Sequence, residues 1–331
     1  RQRQMCIRDS RNGVLVIAVS VIGVVLSVQS VVGAAAAVGA PRPDKPLPVT
    51  YDVRVGILAE LQHPGGNLPG TNDFRCRPTA AHPRPVILVH GSGGGRQTNW
   101  GALAPVLHNA GYCVFAPTYG AISGIWPASA IGGMGPKVDS AWQIKLFAEK
   151  VMAATGAPQV DIVGHSLGTE IPTYWLRYLG GARKVGHYVS LAPYWRQGQD
   201  SDDTRGDTIA QFRHLLGIPA PQWPACPKCV APPRDLNFNT AVRHGSPYLP
   251  GIRYTNIVTR DDEIVTPYTA GLLPGPPGTQ VTDIVLQKGC PIDRSGHLGL
   301  TASPRAAALV LGALDPAHAP PVLCVPVTQP F

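Results

Sequence analysis

The chain has 331 residues, 44% of them hydrophobic and 15% charged, a composition typical of globular proteins with a large core, which excludes intrinsic disorder. Its 37 Gly and 35 Pro residues follow no triplet period and the charged fraction is low, which excludes collagen and coiled coils and indicates many loops. The net charge is +8, of which four Arg against one Asp in the first forty residues supply +3. The remaining charge is scattered without runs of Lys or Arg, so we expect no nucleic-acid partner.

Residues 1–40 are predicted to be a secretory signal peptide. Arg8 and Arg11 precede an apolar run, and the small residues of 33–40 provide cleavage sites. A proline-rich segment follows directly, which favours cleavage over the alternative of an uncleaved membrane anchor. The first ten residues resemble translated adapter sequence and are given no interpretation. We therefore expect a protein that is secreted or associated with the cell envelope.

Apart from Cys6, the chain holds an even number of cysteines. They are Cys76, Cys113, Cys226, Cys229, Cys290 and Cys324. An exported chain meets an oxidising compartment, so we expect these cysteines to form disulfides. Their order along the chain favours Cys76 with Cys113 and Cys290 with Cys324, and closing each loop contributes about 3–4 kcal/mol.

Cys226 and Cys229 raise the question of a zinc site. Such a site needs a second ligand pair, and the nearest histidines, His214 and His244, lack the spacing of one. A disulfide is therefore favoured, either between these two cysteines or after reshuffling. We expect no metal and no cofactor.

Strand and helix patterns alternate along the rest of the chain. Short runs rich in β-branched residues predict strands at 86–90, 112–116, 159–163, 188–191, 254–258 and 281–286. Helices are predicted at 102–110, after Asp139 as N-cap, at 169–179, and after Ser303 as N-cap with Pro304 at the first position. Pro172 predicts a kink or a short first turn in the third of these helices. The alternation predicts an α/β protein whose mostly parallel sheet is covered by helices on both faces.

Two long segments, 120–137 and 194–250, interrupt this alternation. Both are rich in Gly, Pro, Trp and Asp and exceed the length of tight connections. Insertions in α/β sheets usually stand over the carboxyl ends of the strands, so 194–250 is a candidate cap over a ligand site. An ordinary surface loop is the alternative for each segment.

The pentapeptide Gly164-His165-Ser166-Leu167-Gly168 follows a predicted strand and precedes a predicted helix. In this context the G-x-S-x-G pattern predicts a sharp turn that presents the Ser166 hydroxyl at a helix N-terminus. Glycines are required because side chains at 164 and 168 would collide with neighbouring backbone. Ser166 is therefore the candidate nucleophile, whereas we expect His165 to be structural and to point elsewhere.

A serine hydroxyl needs a base that is itself oriented by an acid, and in this type of site the acid and then the histidine follow the serine in the chain. His297 is favoured as the base because its glycine-flanked loop follows the last strand and precedes the final helix. We expect His187, His214 and His244 to be surface or packing residues.

The acid is expected directly after a strand, and Asp262 lies in the acidic segment that follows residue 258. Its neighbours Asp261 and Glu263 are expected to be solvated. Asp283 and Asp293 are weaker alternatives for the same role.

An oxyanion hole and an acyl cleft complete the predicted site. The glycine-rich loop after the first long strand directs backbone N–H groups towards a substrate, and the expected donors are the N–H groups of Ser92 and Leu167. Six apolar side chains in or beside the long segments are candidates to line the cleft, or alternatively to pack those loops. They are Tyr119, Ile122, Ile125, Trp126, Tyr194 and Trp195.

Four segments in this order, 90–100, 163–168, 262–267 and 296–300, resemble the secreted bacterial lipases and esterases of the α/β-hydrolase superfamily. The closest resemblance is to actinobacterial proteins of the triacylglycerol-lipase type, with a fainter one to small lidless Bacillus lipases. It covers the chain from about residue 41 to the C-terminus and implies one α/β-hydrolase catalytic domain.

By residue match, the resemblance implies Ser166 as nucleophile, Asp262 as acid and His297 as base. The actinobacterial relatives usually carry Gln in place of Leu167 and Gly-Gly in place of Gly168-Thr169. These departures concern acyl-chain preference, because the oxyanion donor at 167 is backbone.

The implied activity is hydrolysis of carboxylic esters without a cofactor, through an acyl-enzyme. Triglycerides, short-chain esters and polyesters are all compatible substrates, and we expect a monomer with transient contact to a lipid interface. An acyltransferase using the same acyl-enzyme and a catalytically silent cell-envelope binding protein are the alternatives.

Overall fold

The computed structural model describes residues 45–196, 221–233 and 236–328. All of them belong to a compact unit that spans Val38–Phe331. The predicted signal peptide, residues 1–40, lies outside the described residues. Within the described ranges, no helix has the length and hydrophobicity that crossing a bilayer requires.

The described chain is built on a six-stranded sheet in which every strand pair is parallel. Its strands are β1 (Val86–Val89), β2 (Val114–Phe115), β3 (Val160–His165), β4 (Val185–Leu191), β5 (Arg253–Val258) and β6 (Gln280–Val285). Their order across the sheet is β2-β1-β3-β4-β5-β6. Every residue of β1 and β3 is buried, as parallel strands covered on both faces require.

Helices cover both faces of this sheet. They are α1 (Arg54–Gln62), α2 (Leu103–Asn109), α3 (Lys137–Thr155), α4 (Glu170–Tyr178), α5 (Phe238–Arg243) and α6 (Pro304–Leu314), with 3-10 turns at Ala128–Ala130, Ser166–Thr169, Tyr268–Gly271, Gly299–Ala302 and Pro316–His318. One buried cluster joins α3 and α4 to one face, and a second joins α2 and α6 to the other. The predicted α/β class, with a mostly parallel sheet between helices, is confirmed.

Two predicted helix starts have different outcomes. The Ser303 hydroxyl caps α6 by accepting a hydrogen bond from the Ala306 N–H at 3.1 Å, as predicted. The prediction that Asp139 is an N-cap is wrong, because α3 begins two residues earlier, at Lys137. The Asp139 carboxylate lies in the first turn, where its charge suits the helix dipole, and accepts a hydrogen bond from Trp223 Nε1 at 3.0 Å.

Pro172 lies in the first turn of α4, which follows a separate 3-10 turn. Proline has no N–H, but a residue in the first turn needs none for a helical hydrogen bond. The short first turn predicted for this helix is therefore compatible with Pro172. The sequence pattern predicts neither α1 nor α5. In α1, Ile57, Leu58 and Leu61 are all exposed, so its apolar residues form no single buried stripe.

Three disulfides join the six cysteines as Cys76–Cys113, Cys226–Cys229 and Cys290–Cys324. The first ties the segment before β1 to the start of β2, and the last ties the loop after β6 to the C-terminal segment. Because Cys226 and Cys229 are bonded to each other, their sulfur atoms are not free to ligate zinc. No group of three or more metal-ligating side chains occurs in the described ranges.

The first long segment, 120–137, lies beside the glycine-rich loop that follows β1. Gly132 accepts a hydrogen bond from the Gly93 N–H at 2.8 Å and donates one to Gly94 O at 2.7 Å. This segment therefore borders the carboxyl ends of the strands.

The second long segment, 194–250, lies outside the described residues over 197–220. Its described later part packs along α4, where Tyr174 stacks on Phe238 with ring centroids 5.0 Å apart. That part thus covers a face of the fold, and a cap formed by the segment as a whole stays a prediction.

Candidate active site

Ser166 occupies a strained turn directly after β3. Its φ is +53°, in the left-handed region that residues with side chains disfavour. A Cβ at Gly164 would lie 2.4 Å from Gly168 O, and one at Gly168 would lie 2.0 Å from Val89 O. Only glycine fits at both positions, so the two glycines permit the turn that holds the serine at the entrance to α4.

His297 and Asp262 form a buried, hydrogen-bonded pair. The His297 Nδ1 lies 3.0 Å from Asp262 Oδ1 and 3.1 Å from Oδ2. Asp262 Oδ1 also accepts the backbone N–H groups of Ile264 at 3.0 Å and Val265 at 2.7 Å, which fix the carboxylate. With Nδ1 held by the acid, Nε2 is the ring nitrogen left for proton transfer.

His165 connects the turn of Ser166 to the loop of His297. Its Nε2 lies 3.0 Å from the His297 carbonyl oxygen, and the two ring centroids are 4.9 Å apart. The prediction that His165 points elsewhere is therefore wrong. Within the described part of the chain, no hydrogen bond joins the Ser166 hydroxyl to the His297 ring; bonds of this kind often tighten only when substrate binds.

Further hydrogen bonds hold the loop that carries His297. The His297 N–H donates to Glu263 Oε2 at 2.9 Å, so Glu263 is more than the solvated neighbour predicted, although it is exposed. The Thr259 hydroxyl, directly after β5, donates to Ser295 O at 2.6 Å. The acid and the base are thus positioned by the same pair of loops.

The other acidic candidates have different partners. Asp261 forms an ion pair with exposed Arg294 at 2.7 Å. Asp293 is buried and accepts hydrogen bonds from two serine hydroxyls at 2.6 and 2.8 Å. Asp283 accepts one from Asn256 at 2.7 Å, and burial raises the pKa of its carboxyl group. These partners leave Asp262 as the carboxylate at the His297 ring.

Backbone donors lie beside Ser166. A Cβ at Gly91 would be 3.0 Å from the Cβ of Ser166, so the loop after β1 passes directly next to the serine. Three glycine N–H groups of this loop donate within the protein, whereas the Ser92 N–H makes no hydrogen bond among the described residues. The Leu167 N–H lies in the first turn of a 3-10 helix, where no intrahelical acceptor exists. Binding of an oxyanion by these two N–H groups stays a prediction.

Two of the predicted cleft residues are buried instead. Tyr119 and Trp195 are 0% and 2% exposed. The Tyr119 hydroxyl donates to His90 O at 2.7 Å, and the Trp195 ring N–H donates to Asn256 Oδ1 at 3.0 Å. The prediction that they contact a substrate is wrong, because both rings are fully enclosed by protein. They pack the loops, which is the alternative that the sequence left open.

The remaining cleft candidates are accessible. Ile122, Ile125 and Trp126 are exposed on the segment beside the glycine-rich loop. Trp126 is tied to α1 by a hydrogen bond from its ring N–H to Glu60 Oε1 at 3.2 Å. Tyr194 is half-buried, just beyond the carboxyl end of β4. Contact of these residues with an acyl chain stays a prediction.

Two buried histidines near the site have lowered pKa values. Burial lowers the pKa of His90 to about 4 and lowers the pKa of His165 well below its ordinary value. These shifts favour the neutral imidazole at both positions. His90 also stacks on Tyr119 with ring centroids 4.3 Å apart. The sequence indicates neither the contact of His165 with His297 nor that of His90 with Tyr119, because each joins loops that meet only in the folded chain.

The other histidines considered as bases lie elsewhere. His187 is buried at the opposite end of the sheet, with Nδ1 3.3 Å from Asp161 Oδ2. His244 is exposed, and His214 lies outside the described residues.

Part of the chain is similar to known proteins. Residues 83–189 match the model of the family Lipase (class 2). Over 91 residues the chain is 37% identical to a pyrrolizixenacetamide deacetylase of Xenorhabdus hominickii, which covers 26% of this chain and 29% of that protein. The matched part is therefore less than a third of that relative.

The fold is similar to that of a solved fungal lipase. Aspergillus fumigatus lipase B is similar with a TM-score of 0.50 at 17% identity, covering 86% of this chain and 63% of that one. Bacillus licheniformis lipase BlEst2 has a TM-score of 0.45 at 13% identity, covering 72% and 94%. The chain spans less than two thirds of the Aspergillus lipase. The chain thus combines a parallel sheet covered by helices on both faces with a class 2 lipase pattern over residues 83–189 and a fold similar to that of the Aspergillus lipase.

Proposed function

We propose that the chain is a serine hydrolase of carboxylic esters, with Ser166 as nucleophile, His297 as base and Asp262 as orienting acid. The observation that carries the proposal is the buried His297–Asp262 pair, which His165 connects to the strained turn of Ser166. The lipase pattern over residues 83–189 supports it, since this stretch contains both the glycine-rich loop and Ser166. The assignments of His297 and Asp262 rest on their geometry, because they lie beyond that stretch.

Each group has a defined part in the reaction. As Ser166 Oγ attacks the ester carbonyl, His297 Nε2 takes its proton and Asp262 stabilises the imidazolium. The negative charge on the former carbonyl oxygen is met by the N–H groups of Ser92 and Leu167, each worth about 3 kcal/mol in the transition state. His297 then gives its proton to the departing alkoxide, which leaves an acyl-enzyme. Water, deprotonated by His297, releases the carboxylic acid and restores the serine.

The accessible side chains support an ester with an apolar acyl group. Ile122, Ile125 and Trp126 present apolar surface beside the loop that carries Ser92. The substrate panel therefore comprises tributyrin, a long-chain triglyceride and a polyester film. The panel also includes an acetylated amide, because the Xenorhabdus relative is named a deacetylase. Three disulfides support release into an oxidising compartment.

The decisive experiment labels the nucleophile. A fluorophosphonate should modify Ser166 in the folded protein, and Ser166→Ala should lower hydrolysis of a p-nitrophenyl ester by about 10⁴-fold or more. The control is an unchanged thermal unfolding temperature of the variant. Turnover retained by Ser166→Ala, or labelling at another residue, contradicts the proposal.

A further inference from the structure

A second polar cluster lies at the opposite end of the sheet, where the strands begin. Its members are Arg84, Asp161, His187 and Arg253, and we call it the amino-end cluster. His187 on β4 is in register with Arg253 on β5, and Arg253 with Gln280 on β6. Side chains in register on neighbouring strands emerge on the same face, so these three form a polar row across the sheet.

A bulge between β3 and β4 shapes this cluster. Val160 pairs with Val185 and Ile162 with Tyr188, which leaves Gly186 and His187 opposite Asp161 alone. Asp161 Oδ1 accepts the His187 N–H at 2.7 Å and Arg84 Nε at 2.6 Å. A Cβ at Gly186 would lie 2.4 Å from that Nε, so the bulge glycine makes room for the guanidinium.

The amino-end cluster holds more hydrogen-bond donors than acceptors. The His187 Nδ1 lies 2.9 Å from Arg84 Nη2, and its Nε2 lies 3.3 Å from Arg253 Nη1. A neutral imidazole offers one acceptor nitrogen, so it cannot serve both guanidinium groups. Asp161 balances one of the two positive charges, and Arg253 forms no ion pair within the described ranges. An anion would satisfy both the free donors and the excess charge.

Two adjoining cavities surround the Arg253 side chain. The first, about 310 Å³, is polar and is lined by Arg84, His187, Arg253 and Gln280 together with glycines that leave it open. The second, about 340 Å³, runs between β6 and α6 and is lined mainly by apolar side chains. They include Ile284, Leu309, Ala313 and Val322. Arg253 and Gln280 line both, so the polar pocket adjoins the apolar groove.

We propose that this end of the sheet binds an amphipathic carboxylate, with the carboxylate at Arg253 and the alkyl chain in the groove along α6. The guanidinium fork of Arg253 matches the two oxygens of a carboxylate. The apolar groove removes a chain of several methylene groups from water. The site is separate from Ser166, which follows the carboxyl end of β3, whereas Arg253 begins β5.

Three probes at matched ionic strength separate the two parts of the ligand. Isothermal titration calorimetry should give octanoate an affinity at least about tenfold higher than that of acetate, which lacks the chain, and that of octanol, which lacks the charge. Equal affinity for octanoate and acetate, or for octanoate and octanol, contradicts the proposal.

Two variants test whether octanoate binds at Arg253. Arg253→Gln should weaken octanoate binding by about tenfold or more, whereas Arg183→Gln, an equal charge change at an exposed residue just before β4, should leave it unchanged. Both arginines are exposed, so folding is expected to survive each substitution. Octanoate bound beside Ser166 would be insensitive to Arg253→Gln, so this readout is independent of ester hydrolysis. Equal octanoate affinity in the two variants overturns the proposal.

Discussion

The two ends of the sheet each hold a buried histidine beside a buried aspartate, and the two pairs differ in what surrounds the imidazole. At the carboxyl end, His297 Nδ1 faces both oxygens of Asp262 at 3.0 and 3.1 Å. At the amino end, His187 Nδ1 faces Asp161 Oδ2 at 3.3 Å. In both pairs a carboxylate orients an imidazole in the interior.

The surroundings of the second ring nitrogen differ. The His187 Nε2 faces Arg253 Nη1, and Asp161 is shared with the Arg84 guanidinium. The His297 Nε2 makes no hydrogen bond among the described residues, and its ring lies against the histidine that precedes Ser166. The proposed catalytic role therefore rests on more than a histidine–aspartate pair, because it also needs a ring nitrogen without another partner and a nucleophile nearby.

The largest effect is expected when the pair of Asp262 and His297 at the carboxyl end is broken. Asp262→Asn should lower kcat for a p-nitrophenyl ester by about 10⁴-fold, because the amide no longer holds the imidazole in the productive tautomer. Asp261→Asn, one residue away and paired with Arg294, should change kcat by less than about threefold. The reverse result would assign the role of the orienting acid to Asp261.

The matching change at the amino end should act on stability instead. Asp161→Asn should lower the free energy of unfolding by about 3 kcal/mol, because Arg84 and the bulge N–H lose a buried carboxylate. Denaturant unfolding measures this loss, and kcat of the folded fraction should match the wild type. A kcat loss comparable to that of Asp262→Asn would contradict the separation of the two ends.

A smaller effect concerns pH. Burial lowers the pKa of His90 to about 4, so the unfolded chain binds a proton at this residue below its ordinary pKa of 6.5 while the folded chain does not. Stability contributed by neutral His90 is complete above pH 6.5 and declines as the pH falls towards 4, by roughly 1.4 kcal/mol per pH unit. His90→Gln should flatten the decline in denaturant unfolding, whereas exposed His244→Gln should not. A decline of equal slope in both variants would remove His90 as its cause.

The smallest effect is expected at Ser92. Because the proposed oxyanion donor is its backbone N–H, Ser92→Ala should keep kcat/KM for a p-nitrophenyl ester within about twofold of the wild type. A Ser92 hydroxyl that donated in the transition state would instead make this variant about a hundredfold slower. The two outcomes distinguish backbone from side-chain stabilisation of the oxyanion.

Much of the fold was predictable because its signals are local. Short β-branched runs, the Ser303 cap and the glycines around Ser166 each act within a few residues, so they mark strands, a helix start and the sharp turn directly. The start of α3 was wrong by three residues, because Pro136 and not Asp139 occupies the N-cap position, and Asp139 bonds instead to Trp223, 84 residues along the chain. Helix α1 was missed because its apolar residues face solvent.

The sequence by itself determined the order of chemical groups: a glycine-bracketed serine, then an aspartate after a strand, then a histidine before the final helix. Only the tertiary structure separated Asp262 from the alternatives Asp283 and Asp293 as the partner of His297, and only it showed that Asp161 meets His187. It also decided that Tyr119 and Trp195 are enclosed while Ile122 stays accessible. The physical reason is that burial and hydrogen-bond partners arise where separate loops meet, and no local pattern encodes that meeting.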